Sequence, residues 1–296
     1  MRLTNETATT AFRVLKMCSA EIEPDGPWRW RCIVENGVRT PIIATLEERF
    51  LRLEGSPKAM LEGSRALKAA LMGTDTLAGG VKLALDASGS GLQIRTDIVL
   101  LDETQLLDRI CWALAGFHDS SYQQEFHGSQ KDRLVTPATA AATGNLGELL
   151  HETSWQCTER DLYEFSVNLD ADSAPPARIS RNERGLVFSV ELCRCYAEAD
   201  VSWLALAVFL LTACSSLRLV RANTTDVGAQ LCFGFQVCLP AAPVAEEINH
   251  ALAALSVAYR MCAREANALL DEATARCYLS ARDLPTNNNH EQHKEN

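Results

Sequence analysis

The sequence predicts an α+β protein built from two tandem copies of one fold. Two observations carry that expectation. The order of elements repeats: each half runs helix, three strands, helix, strands, helix. Strands at corresponding places also superpose. LQIRTDIVL (92–100) and LCFGFQVCL (231–239) align at an offset of 139, matching Ile94 to Phe233 and Ile98 to Val237. WRWRCIV and YEFSVNL align at 135, matching Trp30 to Phe165, Cys32 to Val167 and Val34 to Leu169. The expected units are residues 1–122 and 146–280. A linker covers 123–145, and a disordered tail covers 281–296.

In the first half, Phe12, Leu15 and Cys18 recur at helical spacing. PDGP (24–27) is a turn. Trp28, Trp30, Cys32 and Val34 then alternate with Arg29, Arg31 and Ile33, which predicts a strand with one apolar face. Asn36-Gly37 is a hairpin signal, and VRTPIIATLEERFLRLEG continues as further strands. Gly55-Ser56-Pro57 opens a helix to about Met72. VKLALD and LQIRTDIVL flank a Gly-rich turn, with Val81, Leu83 and Leu85 on one face. Asp102 caps the next helix.

Residues 123–145 lack a sustained period and are rich in Thr, Ala and Gly, as a linker is. A short helix (145–155) follows. Tyr163, Phe165, Val167 and Leu169 mark one strand face. Two strands surround a turn at 182–185. Asp200 is expected to cap a helix that is uncharged for 17 residues, 201–217. QLCFGFQVCLP is a strand or hairpin, and one long helix (246–279) precedes the tail. The uncharged run is too short to span a bilayer, which needs about 20 apolar residues. A helix buried on nearly all sides is the expectation.

Composition excludes several classes. The chain has 296 residues with 28 basic and 38 acidic side chains, a net charge of −10. A nucleic-acid binder needs a basic footprint, and an anionic membrane would repel this surface. The charge is uneven, −2 over residues 1–145 and −8 over 146–296. Eleven cysteines form no CxxC pair; Cys32, Cys111, Cys214 and Cys262 sit among apolar neighbours and suit a reduced protein that uses cysteine as a small hydrophobe. MRLTNETATTAF has no apolar run behind a basic start, so the expected compartment is the cytoplasm.

No chemistry is nominated. His151 begins HETSW, without the second histidine of a zinc helix. Gly89-Ser90-Gly91 lies between strands, away from any helix N-terminus that would bind phosphate. Acidic pairs such as Asp102-Glu103 and Glu246-Glu247 begin helices, where they complement the dipole. No cofactor and no metal are expected, and the chain is expected not to be an enzyme. Trp28, Trp30, Tyr163 and Phe165 gather on the first strand of each half. They are candidates for a partner-binding surface, because aromatics concentrate at hot spots, or for core.

The first half resembles the class I (CesT-like) type III secretion chaperones. Leu71, Met72 and Gly73 match that family's helix stop, and Gly79 and Gly80 its Gly-rich loop. Leu83, Leu85 and Asp86 match the Leu-x-Leu-Asp strand, Gly89 or Gly91 the turn, and Ile98 to Leu100 the strand end. The second half matches by element order, with Thr224, Thr225 and Gly228 where the Gly-Gly loop would stand. The resemblance implies an α+β fold and a binding function. An unfolded segment of a secreted effector would wrap the chaperone in extended form, partly by strand addition. Family members are usually homodimers of half this length, so this chain is expected to be a monomeric pseudo-dimer or a homodimer. The pseudo-dimer would be joined through the helices at 57–72 and 200–217. The alternative is a regulatory or scaffold protein of the same fold that binds folded partners.

Overall fold

Two six-stranded antiparallel sheets, one from each half of the chain, organise this computed structural model. It describes residues 5–35, 39–55, 67, 71, 77, 79–85, 91–122, 146–161, 164–169, 174–182, 185–196 and 199–284. The first half begins with α1 (Asn5–Cys18), whose Ala11, Val14 and Leu15 are buried on one face. β1 (Glu21–Gly26), β2 (Arg29–Glu35), β3 (Arg39–Glu47) and β4 (Phe50–Gly55) form a meander. β5 (Lys82–Leu85) and β6 (Leu92–Val99) complete the sheet in the order β1-β2-β3-β4-β6-β5. α2 (Glu103–Tyr122) follows, with Gln105 N–H bonded to Asp102 Oδ1 at 3.0 Å, the expected cap.

The second half begins with α3 (Leu146–His151), then β7 (Cys157–Asp161), β8 (Glu164–Val167), β9 (Ala177–Asn182) and β10 (Gly185–Tyr196). α4 (Asp200–Ser216) leads to β11 (Arg221–Val227) and β12 (Gln230–Leu239). α5 (Ala245–Ala268) and α6 (Glu272–Ser280) close it. Its sheet order is β7-β8-β9-β10-β12-β11, the order of the first sheet position by position.

Each meander has four strands where three were expected. The extra strands are β1 and β7, both at a sheet edge. β1 is mostly exposed and has one aliphatic residue, Ile22, so it carries no alternation to read. β11 is a further addition: Thr224 and Thr225, expected in a loop, lie within it. The single terminal helix is two, because Asp271 accepts the Thr274 N–H at 2.8 Å and starts α6. Asp200 does not cap α4; Ala199 holds the cap position and makes no side-chain bond, and Asp200 lies in the first turn. Residues 281–284 continue as a turn, with Leu284 against the core. The linker, the rest of the tail, the Asn36-Gly37 turn and most of the helix at 57–72 lie outside the described residues. Leu67 and Leu71 of that segment are helical and buried.

One apolar core runs through both halves. α4 is buried on nearly every side, from Trp203 to Leu211, because it packs on β5 of the first sheet and on α6, α5 and β11 of its own half. Each fully buried leucine there contributes about 1.5–3 kcal/mol. The same contact explains β5. The alternation of Val81, Leu83 and Leu85 predicts one solvent face, yet Lys82 and Ala84 are buried too, since α4 covers that face. Among the described residues no helix is long and apolar enough to cross a membrane.

Candidate functional site: the seam between the halves and the open sheet edges

The seam is where β5 and β11, each the last strand of its sheet, approach one another beside α4. Lys82 of β5, 1% exposed, donates to Asp97 Oδ2 on β6 at 2.8 Å and to the Leu217 carbonyl of the second half. Asp97 also accepts from Arg52 Nε and from the Leu219 N–H, both at 3.0 Å. Burial alone would raise the Asp97 carboxyl, but the charges and hydrogen bonds of Lys82 and Arg52 outweigh it. They hold the carboxyl well below the usual carboxylate range.

A related arrangement faces it from the other half. Arg221 of β11 donates to Gln236 Oε1 on β12 and to the Leu77 carbonyl of the first half at 2.9 Å. Thus Lys82 and Arg221, at corresponding places in the two sheets, each reach a carbonyl of the other half and each pair with a side chain from the neighbouring strand of their own sheet. Further bonds cross the seam. Arg95 Nη1 reaches the Ser215 carbonyl at 2.5 Å. Arg109 of α2 pairs with Glu247 of α5 at 2.7 and 2.9 Å and also bonds the Ala242 carbonyl. Arg218 pairs with Glu47 at 3.0 Å and lies over the Phe50 ring. Phe50 also meets His250 edge-on at 5.6 Å. Buried groups of this kind are costly unless paired; Lys82 and Arg221 pair within their own halves, whereas Arg109–Glu247 and Arg218–Glu47 pair across them.

The backbone is strained at the same place. Gly79 has φ +65°, which costs glycine little. Leu219, 140 residues later, has φ +60°. A leucine resists that region, and the bond from its N–H to Asp97 helps to hold it there.

At the opposite ends of the sheets, β1 and β7 each pair on one side only among the described residues. β1 carries Pro24, which lacks a donor, together with Glu21, Glu23 and Asp25. Glu21 is paired with Arg39, and Asp25 lies 2.7 Å from Arg31. Such features protect an edge from strand pairing. β7, CTERD, has no proline.

The aromatic candidates fall differently from a continuous binding face. Trp30 and Phe165 are 7% and 8% exposed and belong to the core. α1 covers the first of them, with Phe12 6.2 Å from the Trp30 ring. Trp28 is partly buried against that core in the β1–β2 turn at φ +60°. Tyr163 lies outside the described residues. Sequence reasoning brought the helix at 200–217 to the interface between the halves but missed the last strands of the two sheets there; their only local signal was a charge, Lys82 or Arg221, beside an apolar run.

The eleven cysteines are all free thiols, and six are buried. Cys214 illustrates the hydrophobic role: burial pushes its thiol up to about 11, and the Ala222 N–H lies 3.1 Å from its sulfur. Cys111, expected among apolar neighbours, is exposed. Among the described residues no group of three or more His, Cys, Asp or Glu side chains is placed to hold a metal. No protein-family model matches the chain, and no curated protein matches it.

Proposed function

We propose that this chain is a cytoplasmic, non-enzymatic binding protein of the type III secretion chaperone kind, working as a single-chain pseudo-dimer. It would hold an extended segment of a secreted effector and keep it soluble. One observation carries the reading: the same strand order occurs twice, and the two copies are clasped through their last strands. A clasp of that form does within one chain what a symmetric interface does between two subunits. It occupies β5 and β11 and leaves β1 and β7 as the free edges. An extended segment can add to a free edge through main-chain hydrogen bonds. Of the two, β7 suits that better, because it has no proline and can offer every backbone N–H. The burial of Trp30 and Phe165 moves the proposed contact from the aromatic faces to this edge.

The scaffold alternative has its own support. Val257 and Met261, one turn apart on α5, are 50% and 58% exposed. An apolar pair on a rigid helix suits a folded partner.

The test is affinity purification from the native host while secretion is active, followed by hydrogen exchange on the purified complex. The chaperone reading expects a secreted protein bound through a segment that is unfolded when free, with new protection in β7. Recovery of no secreted protein would overturn it. Protection confined to the exposed face of α5 by a folded partner would favour the scaffold. Sedimentation should give the mass of one chain; a stable homodimer joined through α4 would exclude the single-chain clasp.

A further inference from the structure

Two cysteines stand apart from the other nine. Cys18 ends α1 and Cys111 lies in α2, and their sulfurs are 3.8 Å apart. Cys111 is exposed and Cys18 partly so. The two helices pack side by side, and a second link joins them: Arg13 of α1 pairs with Glu103 of α2. The two links occur in the same order along both helices, so the register that brings the sulfurs together is held at two points. Cys277, also exposed, touches no second sulfur among the described residues.

From this geometry we infer that Cys18 and Cys111 form a reversible disulfide that staples α1 to α2 when the protein meets a hydroperoxide. A disulfide needs its sulfurs at about 2.05 Å, so they must close by roughly 1.8 Å. Rotation about the Cα–Cβ bonds of the two cysteines is the motion that closes this gap.

The chemistry balances in two steps. The Cys111 thiolate attacks one oxygen of hydrogen peroxide and breaks the O–O bond. This gives a sulfenic acid and hydroxide, which takes up the proton that Cys111 released and becomes water. The Cys18 thiol then loses its proton, and its sulfur attacks the sulfenic sulfur. The S–S bond forms, the S–O bond breaks, and the departing hydroxide leaves as a second water. Two thiols are oxidised and one peroxide is reduced. An external thiol reverses the staple by exchange. Burial and the neighbouring Cys111 push the Cys18 thiol up to about 12. Cys111, the more exposed of the two, is therefore the sulfur expected to react first and the one that a sulfenic-acid reagent traps.

The staple does not depend on the proposed client, and it has a structural consequence. α1 lies over Trp30 and beside β1, so oxidation fixes the helix that covers the aromatic strand.

The test uses the full-length reduced protein, treated with hydrogen peroxide, alkylated, digested and mapped by mass spectrometry. A Cys18–Cys111 cross-linked peptide is expected, reversed by dithiothreitol and absent from C18S and C111S. Dimedone present during oxidation should label Cys111 in preference to Cys18. The urea midpoint should rise on oxidation of the wild type and stay fixed for C111S, whose substitution is on the surface. Oxidation of Cys111 to sulfinic acid without a cross-link, or its pairing with a second copy of the chain, would overturn the inference.

Discussion

The two halves meet the seam with the same strands but different chemistry. The first half presents a lysine and a carboxylate, Lys82 and Asp97. The second presents an arginine and an amide, Arg221 and Gln236. Asp97 and Gln236 lie 139 residues apart on corresponding strands, β6 and β12. Each cation crosses to a carbonyl that precedes the other half's last strand, Leu217 or Leu77. The loops differ as well, with Gly79 in one half and a strained Leu219 in the other. Two halves with one strand order thus place these contacts at corresponding positions while the residue types differ. The half that retains two charges is the one whose pairing depends on pH.

The sharpest break in that comparison is removal of one charge. Lys82→Met leaves Asp97 buried beside a single cation, and urea unfolding should show a loss of about 3–5 kcal/mol. Leu206→Ala, in the helix both halves share, should cost about 2–5 kcal/mol by the same measurement, through a cavity that cannot fully collapse. Arg221→Met removes a cation whose side-chain partner is neutral, so it should cost less than Lys82→Met, about 1–3 kcal/mol. Equal losses for Lys82→Met and Arg221→Met would abolish the distinction between the halves.

Acid sharpens the contrast. The folded Asp97 carboxyl titrates lower than its unfolded counterpart, whose value is about 3.9. Its contribution is therefore complete above that value and is lost as pH falls below about 4 toward the folded value. Between pH about 5 and about 2, the wild type should lose more stability than Asp97→Asn, followed by circular dichroism. Gln236 carries no titratable group, so Gln236→Ala should leave the wild-type pH slope intact.

The smallest effects concern the loops. At Gly79 a Cβ would sit 2.4 Å from the Trp112 carbonyl oxygen at a left-handed φ, so Gly79→Ala should lower the thermal midpoint. Leu219→Gly relieves strain and loses packing together, and its effect should stay within about 1 kcal/mol.

Much of the architecture was legible. α1, α2 and the strands from Trp30 to Leu53 have apolar residues at the helical or alternating period, and that period follows from which face is buried; α4 was legible instead as an uncharged run. The edge strands β1 and β7 were illegible because an edge strand buries little. β11 was illegible for a different reason: Asn223 and Thr224 are buried although polar. The long terminal helix hid its break at Asp271, since a capping aspartate looks like any surface acid. Among the candidate site residues, Trp30 and Phe165 showed an apolar face correctly, but alternation does not say whether a helix or a partner covers it.

Local pattern by itself therefore determined that the chain makes two α+β halves and that residues 201–217 form a helix with no polar face. These are consequences of spacing within a few turns or a single strand. Only the tertiary structure decided what lies against them. Lys82 within VKLALD reads as the solvent side of a strand, yet it is buried because a helix that begins 118 residues later covers it and a carbonyl 135 residues away accepts its hydrogen bond. A charge in a short strand has the same sequence signature in water as in a paired interior. Its fate is set by long-range partners, and those come together only when the halves do.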